Sequence, residues 1–514
     1  MTTQSLTRFA RYAGLARSAI RLRLTTDEAV RDRVRQHLVQ RMGKLRGLPQ
    51  KLGQMMNFSA MADEQPVNHF ETLCESAEPL PLNIVRPVLE AAWGFPLEDI
   101  VDDIEEHARA ASLGQVHRAT LRDGREVAIK VQYPGIRDAI HTDLKMLGWL
   151  SVPVGNLNRG FDLSAYRQAI LDDLDEELDY GREAARQEHV AQWTRDGIFA
   201  VIPPVIPELS TKTVLVSDWE DGESWNDVRT TWDEVSKRKL ANGMLQFFLR
   251  GLFLHGMMQA DWHPGNLRFR RVGSDVQMVM YDLGCVYQPN TDKRLALARL
   301  IHATQRGNES PWPLLLKLGF NEELLEPLAG KLPSLCRILF EPLCVDHPYD
   351  LADWRLAERV GDVLGDDRWN FRIAGSADLV FLMRAFHGVK YYLEQLGTPI
   401  FWARAFEPCA AALRKPWDQL VFPQKRPPEC TFDSLSRYLK LRVRSGGRTT
   451  VELTQRAASI DNLDSILDSE LKQRIERQGL RLDEIVGDVR RRGYAPGPVF
   501  ALNEENKDIK VWLE

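Results

Sequence analysis

The sequence predicts an α+β protein with two lobes, a helical extension before them and a small α+β appendage after them. β-rich sequence begins at about residue 104, and helical sequence dominates residues 291–420. A second β-hairpin follows a proline-containing linker that begins near residue 423. Of the 514 residues, 44% are hydrophobic and 27% are charged, which is typical of globular proteins. A chain of this length is expected to form several domains.

The first segment, residues 1–90, is predicted to be helical and basic. Residues 1–60 hold twelve Lys and Arg residues against three acidic ones, although the whole chain has a net charge of −5. Within residues 5–24, apolar side chains recur every three or four positions beside five arginines. This pattern predicts an amphipathic helix. It would lie on an anionic membrane surface, pack against the protein itself or belong to a cleaved organellar presequence.

Composition disfavours several classes of protein. The acidic balance outside the basic segment argues against nucleic acid binding, which requires a basic surface to displace counterions. The six cysteines form no CxxC pair, which argues against a zinc site or a disulfide framework and fits a reducing compartment. The sequence shows no secretory leader and no charge-free run of eighteen apolar residues. We therefore expect a cytoplasmic protein, with peripheral attachment to the inner membrane as an option, and leave its oligomeric state open.

The first lobe is predicted over residues 91–222. Two β-rich runs, residues 115–121 and 126–132, flank Asp123-Gly124, a strong hairpin signal. Lys130 lies on the second strand in the context Val-Ala-Ile-Lys, where a kinase places the lysine that holds nucleotide phosphates. The pattern also predicts a helical region over residues 163–193 and a strand over residues 213–217. No glutamate on a helix follows Lys130 closely, so Glu177 and Glu183 in the helical region are both candidates to pair with it.

The second lobe is predicted over residues 223–425 and contains two further signals. An apolar helix over residues 237–258 precedes Asp261-Trp262-His263-Pro264-Gly265-Asn266, whose spacing matches the kinase catalytic loop. There Asp261 would orient the attacking hydroxyl or accept its proton, and Asn266 would bind Mg²⁺. A short strand over residues 276–281 ends at Asp282-Leu283-Gly284, a DFG-like turn that supplies a second metal-binding carboxylate. All three signals occur in the order found in kinases.

Four stretches give a more specific indication. No glycine-rich loop precedes Lys130, and Ala110-Ala111-Ser112-Leu113-Gly114-Gln115-Val116-His117 stands in its place. This loop, Lys51-Leu52-Gly53-Gln54, Glu177-Leu178-Asp179-Tyr180 and the Asp261 to Asn266 loop together resemble the UbiB (AarF/ADCK) family. Its members are atypical protein-kinase-like ATPases linked to coenzyme Q biosynthesis. The resemblance implies a two-lobed kinase-like fold.

The resemblance also implies a set of functional residues that binds ATP or ADP with Mg²⁺. The implied catalytic residues are Lys130, Glu183, Asp261, Asn266 and Asp282, with Asn266 and Asp282 as metal ligands. The implied nucleotide-site residues are Lys51, Gln54, Ala110, Ala111, Ser112, Gly114, Gln115, Val116, Lys130 and Glu177. Glu183 would pair with Lys130, while Lys51 and Gln54 would cover the mouth of the site, near Glu177.

The implied activity is ATP hydrolysis or small-molecule phosphotransfer that supports ubiquinone or other lipid metabolism at a membrane. A lipid or quinone precursor would then be a partner. Arg109 replaces the first alanine of the family's loop, which would affect the choice between ATP and ADP. Two alternatives stay open: a phosphotransferase of the aminoglycoside or choline kinase type, and a nucleotide-sensing scaffold without turnover. Residues 426–514 are predicted to form two short helices after the hairpin and one final strand, with no assigned role.

Overall fold

A computed structural model describes residues 79–111, 113–138, 140, 174–195, 199–422, 436, 438–445, 448–477, 480–491, 494, 497–504 and 507–514. Lys51, Gln54, Ser112 and the helix predicted over residues 5–24 lie outside these ranges. The described residues belong to two compact units. The first contains residues up to 232, then 259–286 and 381–388, and the second contains residues 233–258, 287–380 and those from 389 onward.

The helices and strands follow one another in chain order. Up to residue 232 they are α1 (Leu82–Trp93), α2 (Leu97–Ile100), β1 (Val101–Ile104), β2 (Arg109–Ala110), β3 (Gly114–Leu121), β4 (Glu126–Gln132), α3 (Tyr180–Thr194), β5 (Ala200–Val201), β6 (Val214–Asp218) and α4 (Trp225–Thr231). From 233 to 422 they are α5 (Glu234–Arg250), β7 (Met258–Gln259), β8 (Leu267–Val272), β9 (Asp275–Met280), β10 (Val286–Tyr287), α6 (Thr291–Arg306), α7 (Pro311–Lys317), α8 (Glu322–Leu325), α9 (Leu332–Leu339), α10 (Glu341–Cys344), α11 (Leu356–Leu364), α12 (Arg368–Ala374), α13 (Leu379–Leu396) and α14 (Trp402–Trp417). The last are β11 (Tyr438–Ser445), β12 (Arg448–Arg456), α15 (Leu463–Ile466), α16 (Ser469–Arg477), α17 (Leu482–Arg491), β13 (Gly497–Glu504) and β14 (Lys507–Leu513).

The first unit contains an antiparallel sheet in the order β1-β3-β4-β6, with β2 paired to β3. The predicted hairpin is present, and Gly124 adopts a φ of +87° in its turn. On β4, Val127, Ile129 and Val131 are fully buried in one hydrophobic cluster with α1. Because side chains alternate along a strand, Lys130 lies on the opposite face of the sheet.

A second sheet of the first unit, in the order β5-β9-β8, brings two predicted metal ligands together. β8 begins immediately after Asn266, and β9 ends two residues before Asp282. The two strands form an antiparallel hairpin in which Leu267 pairs with Met280. The Tyr281 N–H also donates to the Asn266 carbonyl at 3.0 Å. The ends of this hairpin therefore place Asn266 and Asp282 side by side.

The apolar helix of the second unit ends earlier than the prediction of residues 237–258. Asp233 caps α5 by accepting hydrogen bonds from the Val235 and Ser236 N–H groups. A π-helical turn over Gly251–His255 follows α5, and Gly256 then adopts a φ of +68°. A glycine in this conformation ends the helix, because the left-handed backbone costs it no Cβ strain. Within the described part of the chain, no helix is both long and apolar enough to cross a membrane.

The C-terminal part of the second unit differs from its prediction. Its described residues form three helices rather than two, and β13 is an additional strand at the edge of an antiparallel sheet ordered β12-β11-β14-β13. Gly497-Pro498 is typical of a turn, which hides β13 in the sequence. Proline is nevertheless tolerated at the start of an edge strand, because its missing N–H group then breaks no hydrogen bond between strands.

A buried polar network joins this C-terminal part to the helices of the same unit. Arg359 on α11 is 3% exposed and forms an ion pair with Glu341 on α10, which is 1% exposed. Arg359 also donates to the Arg490 carbonyl of α17 at 3.1 Å. Arg490 and Tyr494 in turn bond to the Asp461 carboxylate at 2.9 and 2.7 Å. This network therefore attaches the described part of residues 438–514 to the helices through charged and polar groups.

We predict that Arg359→Met destabilises the protein by about 3–5 kcal/mol, because it leaves the Glu341 carboxylate buried without its cation. Urea denaturation followed by circular dichroism measures the change. Arg404→Ala is the control, because it removes an exposed ion pair with Asp346 and should cost no more than about 1 kcal/mol. Equal stability of the Arg359 variant and the unaltered chain would contradict the prediction.

Candidate active site

Three predicted site residues meet in one ionic cluster of the first unit. The Lys130 ammonium lies 2.7 and 2.8 Å from the two carboxylate oxygens of Glu183. It also lies 2.9 Å from Oδ2 of Asp282. The Lys130 side chain is 15% exposed and that of Glu183 only 2%. The pairing of Lys130 with Glu183 expected from the sequence is therefore present, and Asp282 completes it.

Local structure explains how Glu183 reaches a lysine 53 residues earlier in the chain. Asp179 caps α3 by accepting a hydrogen bond from the Gly181 N–H at 3.1 Å, so the helix begins at Tyr180. Glu183 then lies in the first turn and faces β4. The Tyr180 ring centroid is 5.0 Å from the Lys130 ammonium, a distance that allows a cation–π contact. The start of α3 thus surrounds the lysine with one carboxylate and one aromatic ring.

Electrostatics keep the lysine charged. Burial opposes the charge on Lys130, but Asp282 and Glu183 outweigh it and hold the lysine pKa well above its usual range. Burial and repulsion from Asp282 raise the pKa of Glu183 to about 7, despite the opposing effect of Lys130. Burial also disfavours the Asp282 carboxylate, but Lys130 outweighs it and lowers the pKa of Asp282. The cluster therefore holds a permanent cation beside an ionised Asp282.

The Asp261 to Asn266 loop is shaped by hydrogen bonds of its own. The His263 ring accepts a bond from the Gly265 N–H at 3.0 Å, which starts a 3₁₀ turn over Pro264–Asn266. The Asn266 side-chain amide donates to the Asp261 carbonyl at 3.4 Å. These contacts give His263 a role in loop packing. They also turn the amide nitrogen of Asn266 toward its own loop.

The two predicted metal ligands fit Mg²⁺ in their donor atoms. Because the Asn266 nitrogen faces Asp261, its amide oxygen is the atom left for a cation. Asp282 contributes carboxylate oxygens that receive hydrogen bonds from Lys130 and from the Gly284 N–H at 2.8 Å. Mg²⁺ prefers oxygen ligands and is usually held by one or two protein groups together with substrate phosphates. Asn266 and Asp282 would therefore hold it here.

A backbone hydrogen bond and a glycine determine the shape of the alanine-rich loop. The Ala111 N–H donates to the Gly114 carbonyl at 2.9 Å, which closes the turn between β2 and β3 beside Ala110 and Val116. A Cβ atom on Gly114 would lie 2.2 Å from the Val131 carbonyl oxygen, so only glycine fits.

Gln115 differs from the sequence expectation at the level of its side chain. It is fully buried, and its amide exchanges hydrogen bonds with the Leu80 backbone at 2.7 and 2.9 Å. Its nitrogen also lies 2.9 Å from the His117 ring. The Gln115 side chain thus stabilises the loop through buried hydrogen bonds. It has no exposed polar atom with which to bind a nucleotide.

Two other predicted positions have defined surroundings. The Arg109 guanidinium lies 5.4 Å from the Trp219 ring centroid, and Arg118 lies 5.0 Å from the same ring. Arg109 therefore stacks on the segment that follows β6. Glu177 is 7% exposed and precedes the cap of α3.

Sequence reasoning missed two residues that hold the site together. Gln259 donates to the Asp282 carbonyl and accepts from the Asp261 N–H at 3.2 Å, so it joins the two motifs. Arg384 on α13 forms an ion pair with Asp261 at 3.0 Å. Gln259 lies two residues before the Asp261 loop, and this position is the only signal that the sequence gives for it. Arg384 lies in an ordinary amphipathic helix, and no local pattern marks it.

Comparison with known proteins agrees with the geometry. Residues 72–311 match the model of the ABC1 atypical kinase-like domain. The chain is 32% identical over 334 residues to the rat protein "Atypical kinase COQ8B, mitochondrial", a match that covers 63% of this chain and 62% of the relative. It is 30% identical over 343 residues to the Caenorhabditis elegans protein "Atypical kinase coq-8, mitochondrial", covering 65% of this chain and 44% of the relative. The chain thus spans less than two thirds of either relative.

A solved structure supports the fold. The Mycobacterium tuberculosis protein Rv3197, solved in complex with erythromycin, superposes with a TM-score of 0.50 at 24% identity. The match covers 74% of this chain and 96% of that one, and it supports the overall fold. The family model that matches residues 72–311 describes a kinase-like domain, which agrees with the predicted fold class. The motifs, the fold and the family model agree, and residues 72–311 are similar to the ABC1 atypical kinase-like domain, as the resemblance to the UbiB family predicts.

Proposed function

We propose that this chain binds ATP or ADP with Mg²⁺, and that it hydrolyses ATP or transfers its terminal phosphoryl group to a small acceptor. The observation that carries the proposal is the Lys130 ammonium held between Glu183 and Asp282. A cation fixed in this way matches the phosphate-binding lysine of kinases, which requires an acidic partner to orient it. Asp261 and Asn266 follow on the neighbouring loop in the order that phosphoryl transfer uses.

Each residue has a distinct part in the proposed reaction. Lys130 would neutralise the nucleotide phosphates, and Glu183 would keep its ammonium in place. Asp261 would orient the attacking water or hydroxyl group and accept its proton. Asn266 and Asp282 would hold Mg²⁺, which supplies charge neutralisation at the phosphates. Catalysis in this chemistry depends mainly on positioning and electrostatics, which the buried ionic cluster favours.

We place the activity in ubiquinone or other lipid metabolism at a membrane. The resemblance to the UbiB family supports this setting, and the basic amphipathic pattern over residues 5–24 supports an anionic surface as a partner. The same resemblance assigns Lys51 and Gln54 to the mouth of the site. The proposed acceptor, if the chain transfers rather than hydrolyses, is a lipid or quinone precursor.

Nucleotide turnover by the purified full chain tests the proposal. Phosphate release is measured with Mg²⁺-ATP alone, with anionic vesicles and with a phenolic quinone-precursor mimic, and radiolabel transfer to the mimic is measured in parallel. Hydrolysis that rises with vesicles supports the membrane setting. Label transferred to the mimic supports phosphotransfer. Nucleotide binding without turnover overturns the catalytic part of the proposal and supports the scaffold alternative, and absence of binding overturns the whole proposal.

Asp282→Asn is expected to abolish the Mg²⁺-dependent part of nucleotide binding, because the variant loses a carboxylate ligand while keeping its shape. Thermal shift with ATP, in Mg²⁺ and in EDTA, measures this. At about 100 times the dissociation constant, Mg²⁺-ATP should stabilise the unaltered chain by about 2.7 kcal/mol. Asp275→Asn, at an exposed position on β9, is the control. Equal Mg²⁺-dependent stabilisation of the Asp282 variant and the unaltered chain would refute its assignment.

A further inference from the structure

The Asp261 carboxylate has a buried cationic partner far away in the sequence. Arg384 lies on α13, in the part of that helix that belongs to the first unit, and is only 3% exposed. One of its terminal nitrogens lies 3.0 Å from Oδ1 of Asp261, whose side chain is 20% exposed. Arginine is rarely buried unless it is paired, so this contact has to repay the loss of hydration. The burial of Arg384 therefore depends on its ion pair with Asp261.

The same face of α13 is fitted to the loop at a second point. Gly388 is four residues after Arg384 and thus lies on the same side of the helix. A Cβ atom at Gly388 would be 2.5 Å from Cβ of Trp262, the residue next to Asp261. The Trp262 indole is itself fixed by a hydrogen bond to the Gln259 carbonyl at 2.8 Å. The missing side chain at 388 allows the helix to approach closely enough for Arg384 to reach the carboxylate.

Arg384 also touches the segment that follows Asp282. Its other terminal nitrogen lies 3.6 Å from the sulfur of Cys285, which is 2% exposed. The Cys285 carbonyl accepts a hydrogen bond from the Ala260 N–H at 2.9 Å, directly before Asp261. One guanidinium therefore contacts both Asp261, the predicted catalytic residue, and the segment that follows Asp282, the predicted metal ligand. A rigid, planar fork is better suited to this than a flexible ammonium.

We propose that Arg384 is a positioning residue for Asp261. Its ion pair with Oδ1 restricts the rotation of the Asp261 carboxylate. The other carboxylate oxygen, Oδ2, is thereby kept directed toward the attacking water or hydroxyl group. This inference rests on the proposed function, because it requires Asp261 to act on that group. Arg384 itself is only 3% exposed, so we expect it to act through Asp261 rather than by direct contact with nucleotide or acceptor.

The test compares turnover with nucleotide affinity in three variants of the full chain. Arg384→Met should lower kcat for ATP hydrolysis about 10- to 100-fold, because a misdirected carboxylate loses rate rather than binding. Its dissociation constant for Mg²⁺-ATP should stay within about twofold. Arg384→Lys, which keeps the charge, should recover part of the lost rate. Met383→Ala, at a position 44% exposed on the same helix, is the control and should leave both quantities unchanged.

A double-mutant cycle with Asp261→Asn separates positioning from mere structural support. If Arg384 acts through Asp261, adding Arg384→Met to Asp261→Asn should lower kcat by no more than about twofold further. Should Arg384→Met fail to fold, Gly388→Ala replaces it in the cycle, since it displaces the helix while keeping the arginine. Additive losses, or a loss of affinity in place of rate, would overturn the inference alone. Absence of turnover by the unaltered chain would overturn the proposed function and the inference with it.

Discussion

Lys130→Met is expected to lower kcat/KM for ATP hydrolysis by about 10³-fold or more. A charge-assisted contact to phosphate is worth about 1.5–3 kcal/mol, which corresponds to roughly 10- to 100-fold in nucleotide affinity. Loss of a preorganised cation at the developing charge costs about a further 10²-fold in kcat. Both effects follow from one ammonium that Glu183 and Asp282 hold within 2.9 Å.

Steady-state kinetics and calorimetric titration with Mg²⁺-ATP measure these two contributions separately. The variant should still fold, because Glu183 already has a pKa of about 7 and takes up a proton once its cation is gone. Lys237→Met removes an ammonium that pairs with the exposed Glu234, and it should leave kinetics and affinity unchanged. If Lys130→Met turned over nucleotide at the rate of the unaltered chain, Lys130 would not be a residue of the nucleotide site.

Asp261→Asn should differ from Lys130→Met, because we expect it to lower kcat with little change in nucleotide affinity. The amide keeps the shape of the carboxylate but cannot accept a proton, and this loss is expected to lower kcat by about 10²- to 10⁴-fold. Mg²⁺-ATP binding should persist, because Lys130, Asn266 and Asp282 are all retained.

Single-turnover hydrolysis together with equilibrium binding checks this separation for Asp261→Asn. Asp275→Asn, which changes an exposed carboxylate on β9 of the same unit, should behave as the unaltered chain does. If Asp261→Asn weakened binding in proportion to turnover, Asp261 would be a ligand-binding residue rather than the group that orients the acceptor.

Local patterns predicted the elements that carry the site with good accuracy. The Asp123-Gly124 turn and the alternation of Val127, Ile129 and Val131 define β4, because a tight turn and a half-buried strand are both specified by adjacent residues. The strand that ends before Asp282 also follows its prediction to within one residue, since β9 spans Asp275–Met280.

Three predictions differ from the structure, and each difference has its own physical cause. The helix predicted to continue to residue 258 instead passes through a π-helical turn and stops at Gly256, because a period of 3.6 residues does not reveal a change of winding. β13 was missed because Gly497-Pro498 signals a turn unless the strand lies at a sheet edge. The sequence places Gln115 in the nucleotide loop, and only the hydrogen bonds between its side chain and the Leu80 backbone reveal that this side chain faces inward.

The sequence by itself predicted which residues would carry the proposed chemistry and in what order, because Lys130, the Asp261 loop and Asp282 each lie in a short motif. Only the tertiary structure decided their partners. From the residues alone, Glu177 and Glu183 were both candidates to pair with Lys130, and the cap at Asp179 turns Glu183 toward it. Asp282, 152 residues away from Lys130, joins the same cluster, and Arg384 reaches Asp261 from a distant helix. Ion pairs between remote residues depend on how elements pack and on how much water they exclude, and no local pattern encodes either quantity.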